Sequence, residues 1–163
     1  MKFNKNLILS LLLCTSASAL DIYPQVSGKI LNIETVGKQV NIGDEIVKID
    51  DRQAKLKLQL LQVIGKTKQQ AFDDAQLNLN QTQELYDRMV ASHRDLDIAK
   101  IDFDAKKHDL DAHNLKVKIQ EIELEKYTIK SPLSGTIKAT PNLRNTTNAN
   151  APEVLMVIEY INL

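Results

Sequence analysis

The sequence has few of the residues that build large rigid cores. Its 163 residues include three phenylalanines, four tyrosines and no tryptophan. Aromatic side chains bury the largest areas, so a globular core in this chain has to be small and aliphatic. We therefore expect one modest domain beside any extended element that the chain forms.

Cysteine is nearly absent too. The one cysteine, Cys14, follows an apolar run from Leu7 to Leu13 that is too short to span a bilayer. Two lysines precede this run and the small residues Ala17-Ser18-Ala19 follow it, which is the pattern of a cleaved secretory signal. We predict that residues 1–19 are a signal peptide, so that the exported chain has no cysteine and no disulfide. A lipid anchor on Cys14 is not expected, because a leucine precedes it where a small residue is required.

An excess of charge of either sign is also missing. The chain has 21 basic and 21 acidic residues, and removal of the two lysines of the signal leaves 19 against 21, a net charge of −2. This balance gives no electrostatic basis for binding nucleic acid or an anionic membrane surface. No nucleic-acid partner is predicted.

Proline and glycine are missing from the middle of the chain. Residues 51–126 contain no proline and a single glycine, Gly65. Both residue types disfavour helices, so their absence predicts a long helical segment. Residues 20–50 and 127–163, which hold the prolines and the other glycines, are predicted to form short strands and turns.

The helical segment contains two amphipathic runs, and the apolar pattern breaks between Val90 and Asp95. We predict an antiparallel helical hairpin in which each run covers the other, with a polar turn from Ala91 to Arg94. The face of the first helix combines two stripes: Leu61, Ile64, Lys68, Ala71, Ala75, Asn78, Thr82, Leu85 and Met89, and Leu58, Leu61, Gly65, Lys68, Phe72, Ala75, Leu79, Thr82, Tyr86 and Met89. The stripe of the second helix is Leu96, Ala99, Phe103, Lys106, Leu110, His113, Val117, Gln120 and Leu124.

The two flanks of the hairpin resemble each other. Val26–Ile30 reads V-S-G-K-I and Leu133–Ile137 reads L-S-G-T-I. A repeated strand and turn on both sides of a hairpin implies two half-domains that close on one another, with the hairpin inserted between them. Residues 142–152 are predicted to be a loop before a last strand at 154–161. The residues assigned to structural turns are Gly28, Gly43, Pro132 and Gly135.

These motifs resemble those of periplasmic adaptor proteins, also called membrane fusion proteins, of the HlyD-like family. The family's pattern of V-S-G-x-I/V, then G-x-x-V-x-x-G-D/Q-x-L/I, then a strand ending in Asp, is matched at Val26–Ile30, Gly37–Ile46 and Ile49-Asp50. The return strand I-x-A/S-P-x-x-G-x-V/I is matched at Ile129–Ile137. The resemblance implies an α+β fold: a split lipoyl-like (barrel-sandwich hybrid) β-domain, residues 20–50 and 127–163, with a coiled-coil hairpin inserted at 51–126.

The resemblance also implies a function. Such proteins lie in the periplasm and link an inner-membrane pump of the RND or ABC type to a TolC-like outer-membrane channel, and they assemble into rings. Many relatives contact the channel through an R-x-x-x-L-x-x-x-x-x-x-S motif at the hairpin tip. Arg88 and Ser92 match its ends here, although the interval is one heptad shorter and the leucine has no counterpart. The family's β-barrel and membrane-proximal domains have no counterpart either.

Two alternatives to a bridging adaptor remain open. One is an accessory member that binds other adaptors without bridging, and the other is an unrelated secreted coiled-coil scaffold, which would be favoured if the flanks failed to form one β-domain. His93, His108 and His113 are not spaced to share a metal ion on one helical face. No nucleophile with its base and no phosphate loop stands out, so neither an enzyme nor a cofactor is predicted. A lipoyl or biotinyl carrier is not predicted, because the hairpin occupies the turn where the modified lysine would lie.

Overall fold

The computed structural model describes residues 17–141, 146–150 and 153–161. The strands of the first flank are β1 (Ala17–Ile22), β2 (Gly28–Ile33), β3 (Gln39–Val40) and β4 (Glu45–Ile49). Two helices follow, α1 (Arg52–Asp87) and α2 (His93–Glu125). The strands of the second flank are β5 (Thr128–Lys130), β6 (Gly135–Ala139), β7 (Thr146–Thr147) and β8 (Met156–Ile161).

The two flanks form one β-domain of two antiparallel sheets. One sheet has the strand order β1-β8-β6-β3, and the other has the order β5-β4-β2-β7. Each sheet therefore takes two strands from the first flank and two from the second. The predicted split β-domain is confirmed, and the hairpin leaves from β4 and returns into β5, which pair with each other.

The core of this domain is aliphatic, as the composition requires. Branched residues at alternate positions of the strands face one another between the two sheets, where burial of their side chains stabilises the fold. The side chains that are almost fully buried are Ile46, Val47, Ile49, Ile137, Leu155, Met156 and Ile158.

In the hairpin, only one of the two stripes predicted for α1 forms the seam. Leu58, Gly65, Phe72 and Leu79 are half-buried against α2, whereas Ile64 and Leu85 of the other stripe are exposed. The stripe of α2 is buried or half-buried throughout, as predicted. Phe72 and Phe103 pack together with their ring centroids 5.3 Å apart. Above them Met89 leaves the seam and is 95% exposed. Tyr86 is 36% exposed and keeps an edge-to-face contact with the His93 ring of α2, with the ring centroids 6.0 Å apart.

Two local details differ from the expectations, and a third expectation is untested. The second helix begins at His93, so His93 and Arg94 belong to its first turn and not to the connection. The loop predicted at 142–152 contains the short strand β7, which pairs with β2; residues 142–145 and 151–152 lie outside the described residues. The predicted cleavage site lies within β1. Cleavage after Ala19 stays a prediction, and it would remove three of the six residue pairs between β1 and β8.

The four residues assigned to structural turns occupy different environments. Gly43 lies in a turn with a φ of 89°, which favours glycine. Gly28 and Gly135 are instead the first residues of β2 and β6, and neighbouring atoms leave no room for a side chain at either position. A Cβ on Gly135 would lie 2.3 Å from the backbone oxygen of Glu159. Pro132 lies in the exposed bend between β5 and β6.

Candidate interaction site at the hairpin tip

The first helix ends in a Schellman motif that has a methionine at its left-handed position. The Val90 amide donates to the Leu85 carbonyl and the Met89 amide donates to the Tyr86 carbonyl, each at 2.8 Å. These are the two backbone bonds that define the motif. Met89 has a φ of 58°, although this position normally carries glycine because a side chain is strained there.

The second helix begins with a capping box. The Ser92 hydroxyl accepts a hydrogen bond from the Asp95 amide at 3.2 Å, and the Asp95 carboxylate accepts from the Ser92 amide at 2.9 Å. The Ser92 hydroxyl also donates to that carboxylate at 2.6 Å. These bonds from the Ser92 hydroxyl and amide lower the pKa of Asp95, so its carboxylate stays ionised. A negative charge here interacts favourably with the positive end of the helix dipole.

On the connection between the helices, Arg88, Met89 and Val90 have exposed side chains. Met89 is 95% exposed and Val90 is 69% exposed, and both stand at the extremity of the hairpin. Arg88 ends the helix with its side chain exposed. The guanidinium and the two apolar side chains together form a small amphipathic knob that we call the tip knob.

The two residues predicted to form the site, Arg88 and Ser92, both lie on the connection between the helices, but their roles differ. Arg88 is open to solvent, whereas the Ser92 hydroxyl is engaged in the cap. Met89 was expected on the seam and instead lies in the tip knob. A signal for this arrangement is present in the sequence, because Ser92 stands three residues before an acidic residue, as in a capping box.

The three histidines lie far apart along the hairpin. The His93 Nδ1 is 2.8 Å from the Asp97 carboxylate at the tip, His108 is exposed, and the buried His113 places its Nε2 2.8 Å from the Leu61 carbonyl oxygen. Among the described residues, no group of three or more metal-ligating side chains is found. Within the same part of the chain, no helix is both long and apolar enough to cross a membrane.

Comparison with known proteins identifies the family. Residues 18–158 match the family model of the RND MFP (membrane fusion protein) barrel-sandwich hybrid domain. A search of curated proteins finds no significant match. Because the family match spans both flanks and the hairpin, an unrelated coiled-coil scaffold is excluded.

Solved structures share the fold. ZneB from Cupriavidus metallidurans is 19% identical with a TM-score of 0.56, and the match covers 86% of this chain and 60% of ZneB. The membrane fusion protein Spr0693 from Streptococcus pneumoniae R6 is 17% identical with a TM-score of 0.56, over 88% of this chain and 61% of Spr0693. MacA from Actinobacillus actinomycetemcomitans is 28% identical with a TM-score of 0.48, over 87% of this chain and 50% of MacA.

The chain thus spans between 50% and 61% of the length of these three proteins. The part that it shares with ZneB and Spr0693 is the split β-domain and its inserted hairpin. The match of the family model to residues 18–158 shows that the chain belongs to the membrane fusion protein family, whose members are adaptors of efflux systems.

Proposed function

We propose that the protein is a periplasmic adaptor that links an inner-membrane transporter of the RND or ABC type to a TolC-like outer-membrane channel. Family membership supports the general role. The observation that carries the bridging role is the hairpin itself: helices of 36 and 33 residues extend about 50 Å from the β-domain and end in the exposed tip knob. A rigid arm with a free tip is suited to reaching a second protein.

The tip knob offers two kinds of contact. The guanidinium of Arg88 is a planar fork of donors that matches carboxylates or the carbonyl groups at helix ends. Met89 is flexible and apolar, and such a side chain adapts to irregular apolar pockets between helices. The knob therefore fits the end of a helical channel that presents acceptors around an apolar gap.

In-cell photo-cross-linking tests this contact. A photoreactive amino acid at Met89 is expected to give a covalent adduct that mass spectrometry identifies as the host's outer-membrane channel. The same amino acid at Lys66, which is exposed halfway along the hairpin, is the control and is expected to give no channel adduct. If neither position reaches a channel in cells that are actively exporting substrate, the bridging function is wrong.

We also infer that the protein assembles side by side with further copies of itself. The outer face of α2, opposite the seam, carries a second heptad stripe, and every one of its residues is exposed. The stripe comprises Ile98, Ile101, Ala105, His108, Ala112, Leu115, Ile119 and Ile122. It extends over about 36 Å, and its alternating spacing of three and four residues is that of a seam for another helix.

The outer face of α1 supplies a matching surface. Phe72 and Phe103 mark one height along the hairpin. Twelve residues toward the base from that pair, Leu60 and Leu115 are level with each other, and both point outward and are exposed. In a ring of parallel hairpins, α1 of one copy lies beside α2 of the next without an axial shift. Leu60 of one copy then meets Leu115 of the next.

Charges beside the stripes support the same arrangement in the lower half of the hairpin. In this register Lys66 of one copy faces Asp111 of the next. Opposite charges flanking a helical seam favour a defined register. The helices thus offer a second copy both an apolar stripe and a partial charge match.

Cysteine pairing tests the arrangement. Leu60→Cys with Leu115→Cys in one chain is expected to give a ladder of disulfide-linked oligomers, because the two thiols point to opposite sides of one hairpin and meet only between copies. Leu60→Cys with Ile98→Cys, which are at different heights, is the control. Cross-links to a longer adaptor instead of further copies would support the accessory function, and an absence of both refutes side-by-side assembly.

A further inference from the structure

Asp51 is a buried acid at the point where the hairpin leaves the β-domain. It lies between the end of β4 and the first residue of α1, and it is only 4% exposed. Its carboxylate receives two ion pairs, from the Lys48 Nζ at 3.0 Å and from the Lys55 Nζ at 3.1 Å. One buried carboxylate thus joins a lysine of the sheet to a lysine of the hairpin.

The geometry is unusual for an acid at this position. Asp51 is the N-cap residue of α1, but its side chain makes no capping hydrogen bond, which is the ordinary role of aspartate there. Lys48 in turn contacts the Thr128 hydroxyl on β5, the strand into which the hairpin returns. Burial works to raise the pKa of Asp51, but the hydrogen bonds from the two lysines outweigh it and hold the pKa below its ordinary value. The carboxylate therefore stays ionised at neutral pH.

Space for movement lies directly beside this contact. A groove of about 800 Å³ separates the base of the hairpin from the sheet. Tyr23 and Gln25 line it from the β-domain, and Glu121 and Ile122 line it from α2. Asp51, Lys48 and Lys55 line the same groove. The direction of the hairpin is thus set by contacts at the base.

We propose that Asp51 is a positioning residue that fixes the direction of the hairpin relative to the β-domain, through its simultaneous pairing with Lys48 and Lys55. Without the charge, the link between sheet and helix is lost and the hairpin tilts into the groove. An arm of about 50 Å amplifies such a change, since a tilt of about 10° moves the tip by about 9 Å. This inference is independent of the partner that the tip contacts.

Distances between spin labels test the proposal. The labels go on Thr35→Cys, in an exposed turn of the β-domain, and Gln81→Cys, on an exposed face of α1, in a Cys14→Ser background. About 45 Å of helix separates Asp51 from Gln81, so a tilt changes the measured distance by several ångströms. Asp51→Asn is expected to shift or broaden the distance distribution while the helical circular dichroism stays unchanged, and Asp51→Glu is expected to restore a narrow one.

Asp50→Asn is the matched control. Asp50 pairs with Arg52 two residues away, an exposed contact that links no separate elements. It is expected to leave the distribution as in the wild type. If Asp51→Asn does not fold, Lys55→Gln, which removes only the helix side of the link, provides the same readout. An unchanged narrow distribution in the folded Asp51→Asn or Lys55→Gln protein overturns the proposal.

Discussion

The imidazole of His113 lies directly over Gly65. A Cβ added to this glycine would stand 3.3 Å from the His113 ring, and the ring Nε2 is 2.8 Å from the Leu61 carbonyl oxygen one turn earlier. The one glycine in the hairpin thus makes room for a polar side chain on the seam. A buried polar layer of this kind helps fix the register of two helices.

This contact predicts non-additive effects of two substitutions. Gly65→Ala in a His113→Ala background is expected to stabilise the hairpin by about 1 kcal/mol, because alanine favours the helix and the space is free. In the wild type, Gly65→Ala is expected to stabilise the hairpin by clearly less, because the His113 ring occupies the space next to the new methyl group. Thermal melting of the four proteins of the cycle measures the coupling. Equal effects in both backgrounds would show that the ring does not restrict the site.

Gly135 and Gly28 are expected to tolerate alanine differently. Gly135→Ala forces the Cβ against the Glu159 backbone and is expected to cost about 3 kcal/mol or more, whereas Gly28→Ala meets the movable Ile49 side chain at 2.7 Å and is expected to cost about 1–2 kcal/mol. Urea denaturation measures both. Gly37→Ala is the comparison: the added Cβ has open space, and the only cost is the left-handed backbone conformation, which favours glycine. If Gly37→Ala lowers the free energy of unfolding more than Gly135→Ala does, steric contact is not the main cause of the loss at Gly135.

Met89 is expected to lower the stability of the hairpin and to strengthen its binding to the channel. Met89→Gly relieves the left-handed strain at the end of α1 and is expected to raise the stability of the hairpin by about 1 kcal/mol. The same variant is expected to bind the channel more weakly, because it lacks the exposed apolar side chain. Thermal melting and a binding assay with the purified channel give the two quantities. Stabilisation without loss of binding would remove Met89 from the contact.

Arg88→Glu is expected to disrupt docking without harming the helices. The side chain is exposed and reverses charge in this variant, while the backbone bonds that end α1 do not need it. Efflux in cells and helical circular dichroism are measured together. Asp87→Lys, a charge reversal on the neighbouring residue that leaves the tip knob intact, is the control. Normal efflux by Arg88→Glu would place the partner contact elsewhere.

The ion pair between Asp50 and Arg52 predicts a specific pH dependence. Hydrogen bonds from the Arg52 side chain and backbone lower the pKa of Asp50 from 3.8 to about 2. Because this pKa is lower in the folded protein than in the unfolded chain, the ion pair stabilises the folded state at pH values above 3.8. The stabilisation is lost as the pH falls from 3.8 to about 2. NMR titration of the Asp50 carboxyl group measures it. In Arg52→Gln the pKa is expected to rise toward 3.8, and an unaltered titration would rule out the pair as its cause.

Much of this architecture was predictable because its signals are local or repeated. The absence of proline from 51–126 and the heptad spacing around Phe72 and Phe103 predict the hairpin, and the repeated S-G motif predicts a split domain. The sequence could not choose between the two stripes of α1, because Ile64 and Gly65 are neighbours on one broad face. The partners on the opposite helix show which stripe is used: His113 lies over Gly65, and Phe103 packs on Phe72.

The roles of Ser92 at the tip and Asp51 at the base of the hairpin were harder to predict, because both depend on where a helix begins. Ser92 looked available for binding, but its hydroxyl is used by the helix that it begins. Asp51 had no signal of its own, since its partners lie three residues before it and four residues after it on elements of different kinds. Such roles depend on where a strand ends and a helix starts. A pattern places that boundary to within a few residues at best.

The interleaving of the two flanks has a consequence for the order of folding. β1 pairs with β8, so the first and last described strands, more than 130 residues apart in sequence, are neighbours in one sheet. Contacts of such separation form late, whereas the hairpin consists of contacts that are local by comparison. The hairpin is therefore expected to form first and to bring its own two ends together. In doing so it shortens the loop that the β-domain must close and lowers the entropy cost of joining the two flanks. The hairpin thus assists the folding of the β-domain from which it extends.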